Sequence, residues 1–188
     1  YLDSDSFDLM LVGKKSYYEG SGIMSSKLVR LSKTPCLFIP EMSHTNFDSI
    51  LAPIDFSKYS ENVIEMALTL SKKAGSSLEL IHVIKMSMQF FPYIKNTDEL
   101  KNDLRKKAID KFNILKKNKF PQSLECSMLI GGDQHISKII YDYALEEGIG
   151  LIILGSKGNH DDSDFLIGSV TERLIANDKI VPVLVINC

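Results

Sequence analysis

The chain has 188 residues, 44% of them hydrophobic and 24% charged, with a formal net charge of −2 at pH 7. These are ordinary values for a soluble globular protein, with room for one good-sized domain or for a domain and part of another. The slightly acidic balance argues against a general nucleic-acid binder, which would show a basic excess, and no apolar run is long enough to span a bilayer. Cys36, Cys126 and Cys188 are odd in number and widely spaced. They fit reduced thiols in the cytoplasm better than a disulfide framework or a zinc site. No signal peptide is evident, and a first residue Tyr1 in place of Met is what a fragment or processed product would carry.

In chain order, Phe7-Asp-Leu-Met-Leu-Val-Gly13 reads as a strand ending in glycine. A helical pattern with Ile23, Lys27, Leu28 and Leu31 follows. Pro35-Cys-Leu-Phe-Ile-Pro40 is then a short strand, which its two prolines confine to an edge or to a brief pairing. After a loop from Glu41 to Phe47 the pattern restarts. Ser49-Ile-Leu-Ala-Pro-Ile54 is an apolar strand with Asp55-Phe-Ser57 at its end. Lys58 to Ala74 carries Val63, Ala67 and Leu70 at helical spacing, and Gly75 stops it. Ser77 to Ile84 is the next strand; His82 within it is expected to be packed or hydrogen-bonded. Met86, Met88, Phe90, Phe91 and Tyr93 mark an irregular stretch that either docks a partner or covers the sheet.

Thr97 caps a helix running to about Asn118, with Leu100, Leu104, Ala108, Phe112 and Leu115 as its apolar stripe. Leu124 to Ile130 alternates as an edge strand would. Gly131-Gly-Asp133 is expected to cap a helix over Gln134–Glu147, which Gly148 closes. Leu151-Ile-Ile-Leu-Gly-Ser-Lys-Gly158 is a buried strand stopping in a glycine turn. Gly168-Ser169 then opens a helix with Val170, Leu174 and Ile175 on one face, and Val181 to Ile186 is the last strand. Strands alternating with helices predict an α/β fold with a parallel sheet and right-handed crossovers.

The two ends of the chain repeat each other. Asp8–Gly13 matches Gly150–Gly155, Lys27-Leu-Val29 matches Arg173-Leu-Ile175, and Pro35–Pro40 matches Pro182–Asn187. Residues 1–41 therefore read as the final strand–helix–strand of a preceding copy, 42–47 as a linker, and 48–188 as a complete domain.

The spacing Gly155-x2-Gly158-x9-Gly168-Ser169 resembles the nucleotide-binding signature of the universal stress protein family. Leu51-Ala-Pro-Ile-Asp-Phe-Ser57, Leu80-Ile-His-Val83 and Pro182-Val-Leu-Val185 extend the resemblance in the right order. It implies a Rossmann-like open sheet of five parallel strands, order 3-2-1-4-5, with helices on both faces, in the tandem-domain form of the family. It further implies an ATP-binding stress-response sensor, with Mg²⁺ or Mn²⁺ on the phosphates. By the same resemblance Asp55 accepts from the ribose hydroxyls, while Pro53, Val83 and Leu154 contact adenine. Gly155, Gly158, Gly168 and Ser169 surround the phosphates, and Val170 closes the loop. Glycines there let the main chain approach an anion, and a helix start supplies N–H groups.

The preceding copy has Gly13 and Ser16 where the domain has Gly155 and Gly158, and Gly22-Ile23 for Gly168-Ser169. It lacks an equivalent of Asp55, so it is expected to bind no nucleotide. Its expected role is pairing, Cys36–Ile39 against Val183–Ile186, as an intramolecular pseudo-dimer or a homodimer, with an unidentified protein partner besides. Lys157 either neutralises phosphate or is an ordinary loop lysine. His160-Asp161-Asp162 is read as a polar loop before it is read as a metal site. There is no GxxxxGK[ST] loop, no Gly-x-Ser-x-Gly elbow and no evident base, so no catalytic residue is assigned. A nucleotide-free interaction module remains the alternative, and slow ATP hydrolysis the third reading.

Overall fold

The computed structural model describes residues 7–15, 21–43, 46–86, 97–117, 119–158 and 167–187, the side chains of 21–23 excepted. The Met88–Tyr93 stretch, Ser16, His160-Asp161-Asp162 and Cys188 lie outside them. The elements are β1 (Met10–Lys14), α1 (Ser21–Leu31), β2 (Cys36–Pro40), β3 (Ser49–Pro53), α2 (Ser60–Ala74), β4 (Ser77–Lys85), α3 (Thr97–Lys116), β5 (Cys126–Gly131), α4 (Ile136–Glu146), β6 (Leu151–Gly155), α5 (Ser169–Asn177) and β7 (Val183–Ile186).

One seven-stranded sheet contains them in the order β1-β2-β7-β6-β3-β4-β5. The five strands from β3 onward run β5-β4-β3-β6-β7, the expected 3-2-1-4-5, and are all parallel. The sheet does not stop at five strands. β2 joins β7 antiparallel, and β1 continues parallel to β2. The Pro35–Pro40 strand is thus interior, and β5 is an edge as its alternation predicted. The prolines at either end of β2 leave only Cys36, Leu37 and Phe38 in the β7 ladder.

Apolar side chains alternate across the pleat into two cores. Leu51, Ile81, Val83, Ile152 and Leu154 face α1, α4 and α5, packing with Val29, Ile140, Leu174 and Ile175. Ile50, Ala52, Ile54, Leu80 and Ile153 face α2 and α3, packing with Val63, Ile64 and Phe112. A period of two along each strand, buried on both sides, makes these strands read as continuous apolar runs. Gly75 ends α2 in the left-handed region at φ 71°, where only glycine is unstrained. α4 is capped differently from expectation. Gly131 belongs to β5, and the side chain of His135 accepts from the Ser137 N–H at the helix start.

The β1–α1–β2 and β6–α5–β7 segments share one register. Met10–Gly13 face Cys36–Ile39 as Ile152–Gly155 face Val183–Ile186. Met10 N–H donates to the Pro35 carbonyl (2.8 Å), and Ile152 N–H to that of Pro182 (2.9 Å). Across the antiparallel seam Leu37 faces Leu184, Cys36 faces Val185 and Phe38 faces Val183. Corresponding residues are therefore exchanged across an approximate two-fold axis between Leu37 and Leu184. Side chains at the two strand ends tie the two units together as well. Lys14 Nζ donates to the Asp178 carbonyl after α5 (2.8 Å), and Asn187 Nδ2 donates to the Ser32 carbonyl after α1 (2.5 Å). The outer face of β1 breaks the correspondence. Leu9 and Leu11 are 44% and 64% exposed, whereas Leu151 and Ile153 beneath α2 are 6% and 0% exposed.

Candidate functional site

The candidate site lies at the carboxyl ends of β3, β4 and β6, where the sheet order reverses and crossovers leave to opposite faces, the usual crevice of open α/β sheets. β3 leads into the turn Asp55-Phe56-Ser57. Asp55 Oδ1 accepts from the Ser57 N–H at 3.0 Å and from Ser60 Oγ at 3.1 Å, which closes an Asx turn and ties it to the start of α2. Phe56 in that turn has φ 60°, a left-handed conformation costly for a side chain of its size. Its ring lies 4.2 Å from that of His82. The His82 Nδ1–H donates in turn to the Ile54 carbonyl at 2.8 Å. Burial lowers the His82 pKa, against the raising effects of that bond and of Asp55, so the ring is neutral at pH 7. His82 is thus the hydrogen-bonded residue that the strand pattern indicated.

The glycine segments meet from the other side. Thr171 Oγ1 donates to the Gly155 carbonyl (2.8 Å), and Gly168 N–H donates to the Ser156 carbonyl (2.8 Å). The second glycine group is thereby fastened to the first across the intervening loop. Gly168 uses its own N–H in this way, so the N–H groups available at the start of α5 are those of Ser169, Val170 and Thr171, which a helix's first turn leaves without internal acceptors. A Cβ added at Gly158 would stand 2.8 Å from Asp55 Oδ2. The glycine turn and the β3 carboxylate therefore lie in contact distance of each other.

All nine residues singled out in the sequence, Pro53, Asp55, Val83, Leu154, Gly155, Gly158, Gly168, Ser169 and Val170, line one open cavity of about 440 Å³, and so does Lys157. That volume lies in the range of small-molecule sites. Ile136, Ile140 and Ile167 add apolar wall. Sequence reasoning missed Tyr59, Ser60, Thr171 and Glu172, which also line it. The spacing of Ser60 behind Asp55 was available as a capping signal; nothing local marked Tyr59.

Fold and site together define a doubly wound α/β domain with a glycine-walled cavity at its strand-order switch. A sequence profile of the universal stress protein family matches residues 46–187, and the chain belongs to that family of stress-response proteins. Universal stress protein YxiE of Bacillus subtilis is 23% identical over 148 residues, covering 74% of this chain and 99% of that protein. Universal stress protein MJ0577 of Methanocaldococcus jannaschii is 28% identical over 156 residues, covering 74% of this chain and 94% of that protein. Among solved structures, a universal stress protein from Archaeoglobus fulgidus superposes with TM-score 0.60 at 23% identity over 96% of this chain, and one from Pseudomonas aeruginosa with TM-score 0.64 at 16% identity over 94%. These likenesses show the fold. The chain spans 60% and 63% of the length of those two structures.

Proposed function

We propose that the cavity binds an adenine nucleotide, ATP with Mg²⁺ or Mn²⁺ on its phosphates, and that the protein acts as a nucleotide-gated regulator. The observation that carries this reading is convergence. Nine residues drawn from separate segments of the chain by their resemblance to a nucleotide signature line a single cavity. The donor set suits such a ligand. The apolar surfaces of Pro53, Val83 and Leu154 take the base, and Asp55 takes the ribose hydroxyls. Gly155, Gly158 and Gly168 let the chain pass close to the phosphates, while Ser169 and Val170 present N–H groups at a helix start. Three or four charge-assisted bonds of about 1.5–3 kcal/mol, less the entropy of association, support micromolar affinity, about −8 kcal/mol. Melting the protein with and without Mg-ATP tests it. Saturating ATP raises the melting temperature, and Gly168→Val, whose branched side chain stands at the phosphate approach, loses the rise. An unchanged melting temperature in the unsubstituted protein, with no nucleotide released on denaturation, leaves the interaction-module alternative in its place. Turnover of radiolabelled ATP tests the third reading, slow hydrolysis.

We read residues 1–41 as the end of a preceding copy of the domain, 42–47 as a linker and 48–188 as the second copy. The shared register and the two-fold seam support this. In this reading Cys36–Ile39 and Val183–Ile186 make an intramolecular counterpart of a dimer contact, and the exposed Leu9 and Leu11 lie where the first copy's own α2 equivalent would pack. The free thiols of Cys36 and Cys126 suit the cytoplasm. Among the described residues no helix is long and apolar enough to cross a membrane.

A further inference from the structure

We propose that Arg30, on α1 and outside the family match, tunes the nucleotide site from across the seam by neutralising Glu172. The inference rests on the reading of the cavity as a nucleotide site. Helix α1 lies along α5, where Val29 shares a core with Leu174 and Ile175. Glu172 sits in the first turn of α5 and lines the cavity beside Ser169 and Thr171. A carboxylate at that position favours the helix start, and it also opposes any anion bound there. Among the described lining residues the formal charges are Asp55 and Glu172, negative, and Lys157, positive. That leaves a net negative wall facing a site read as taking phosphates.

Arg30 does not line the cavity, yet its Nη2 lies 3.2 Å from Glu172 Oε1. Among the described residues, Arg30 brings the local sum to zero from outside the pocket. Both side chains are about two-fifths exposed, 41% and 45%, so the ion pair contributes little to folding. Paired with Arg30, the Glu172 carboxylate is held toward α1; without that partner it is free to turn toward an anion in the cavity it lines. Arg30 is thus a positioning residue that acts through Glu172 and couples the amino-terminal unit to ligand affinity.

The test is calorimetric binding of Mg-ATP and of adenosine to the full chain and to Arg30→Ala, Glu172→Gln and the double variant, at low and high salt. Arg30→Ala should weaken Mg-ATP about three- to fivefold at low salt, less at high salt, and leave adenosine unchanged. In the Glu172→Gln background the same substitution should cost clearly less. Unchanged Mg-ATP affinity in Arg30→Ala overturns the proposal. An equal loss for adenosine would mean a structural effect through α5, and an undiminished loss in the Glu172→Gln background would mean that Arg30 acts without Glu172; either result also overturns it. If the unsubstituted chain binds neither ligand, the nucleotide reading itself fails and the inference falls with it.

Discussion

Asp178 joins the end of α5 to the seam, and its titration should be visible in stability. The residue is 3% exposed. Oδ1 accepts from the N–H groups of Ile180 and Val181, both at 2.9 Å, while Oδ2 has no hydrogen-bond partner among the described residues. Burial raises its pKa from 3.8 to about 6, against the lowering effects of those N–H groups and of the Lys14 charge. The folded state therefore favours the protonated acid. Between the two values the native protein binds more protons than the unfolded chain, so this contribution is fully present below the unfolded pKa and is lost as pH rises through about 6. At 1.36 kcal/mol per unit, the difference amounts to about 3 kcal/mol in order of magnitude. Asp178→Asn keeps an oxygen for Ile180 and Val181 and cannot ionise. Urea denaturation of both proteins at several pH values from about 4.5 to 7.5 isolates the group from the other carboxylates. The Asn variant should gain on the unsubstituted protein by about 2 kcal/mol as pH rises over that range, because at pH 4.5 part of the contribution is already lost. A stability difference that stays constant with pH would refute the linkage argument.

Gly150 leaves no space for a side chain, since a Cβ there would lie 1.9 Å from the Asn46 carbonyl oxygen and 3.2 Å from Phe47 Cα. Main chain must move, so Gly150→Ala should lower stability by at least about 2 kcal/mol, and an unshifted urea midpoint would contradict the packing. Gly158→Ala should leave the fold intact and turn the Asp55 carboxylate, whose Oδ1 is held by Ser57 and Ser60. ATP-dependent thermal stabilisation should shrink while the melting temperature without ligand changes little; full retention of stabilisation would remove Asp55 from the site. Phe38, 1% exposed at the β2–β7 seam, should cost about 3–5 kcal/mol on substitution by Ala. A much smaller loss, read from denaturation curves, would mean that the amino-terminal unit is not cooperatively joined to the rest.

Much of this protein was legible because its signals are local. Short apolar runs cut by glycine, with helical periodicity between them, are consequences of strand pleat and helix pitch, and both act over a few residues. The cap of α4 shows where this stops, since Gly131-Gly132-Asp133 is as good a local start signal as His135, and β5 takes Gly131 into the sheet. The strand count shows it again. The prolines of Pro35–Pro40 point locally to an edge, and only the resemblance pointed to its pairing with β7, because that pairing links residues far apart in the chain.

The chain by itself determined the α/β order and the repeated strand–helix–strand at its two ends, because strand and helix periods are properties of sequence, and its resemblance to a known signature marked nine of the residues that come to line the cavity. The tertiary structure alone decided three things. The expected pairing of Cys36–Ile39 with Val183–Ile186 closes within one chain, Gly168 gives its N–H to Ser156, and Arg30 meets Glu172 across 142 residues of chain. Each depends on which surfaces come together when the apolar faces are buried, and no local pattern encodes that choice.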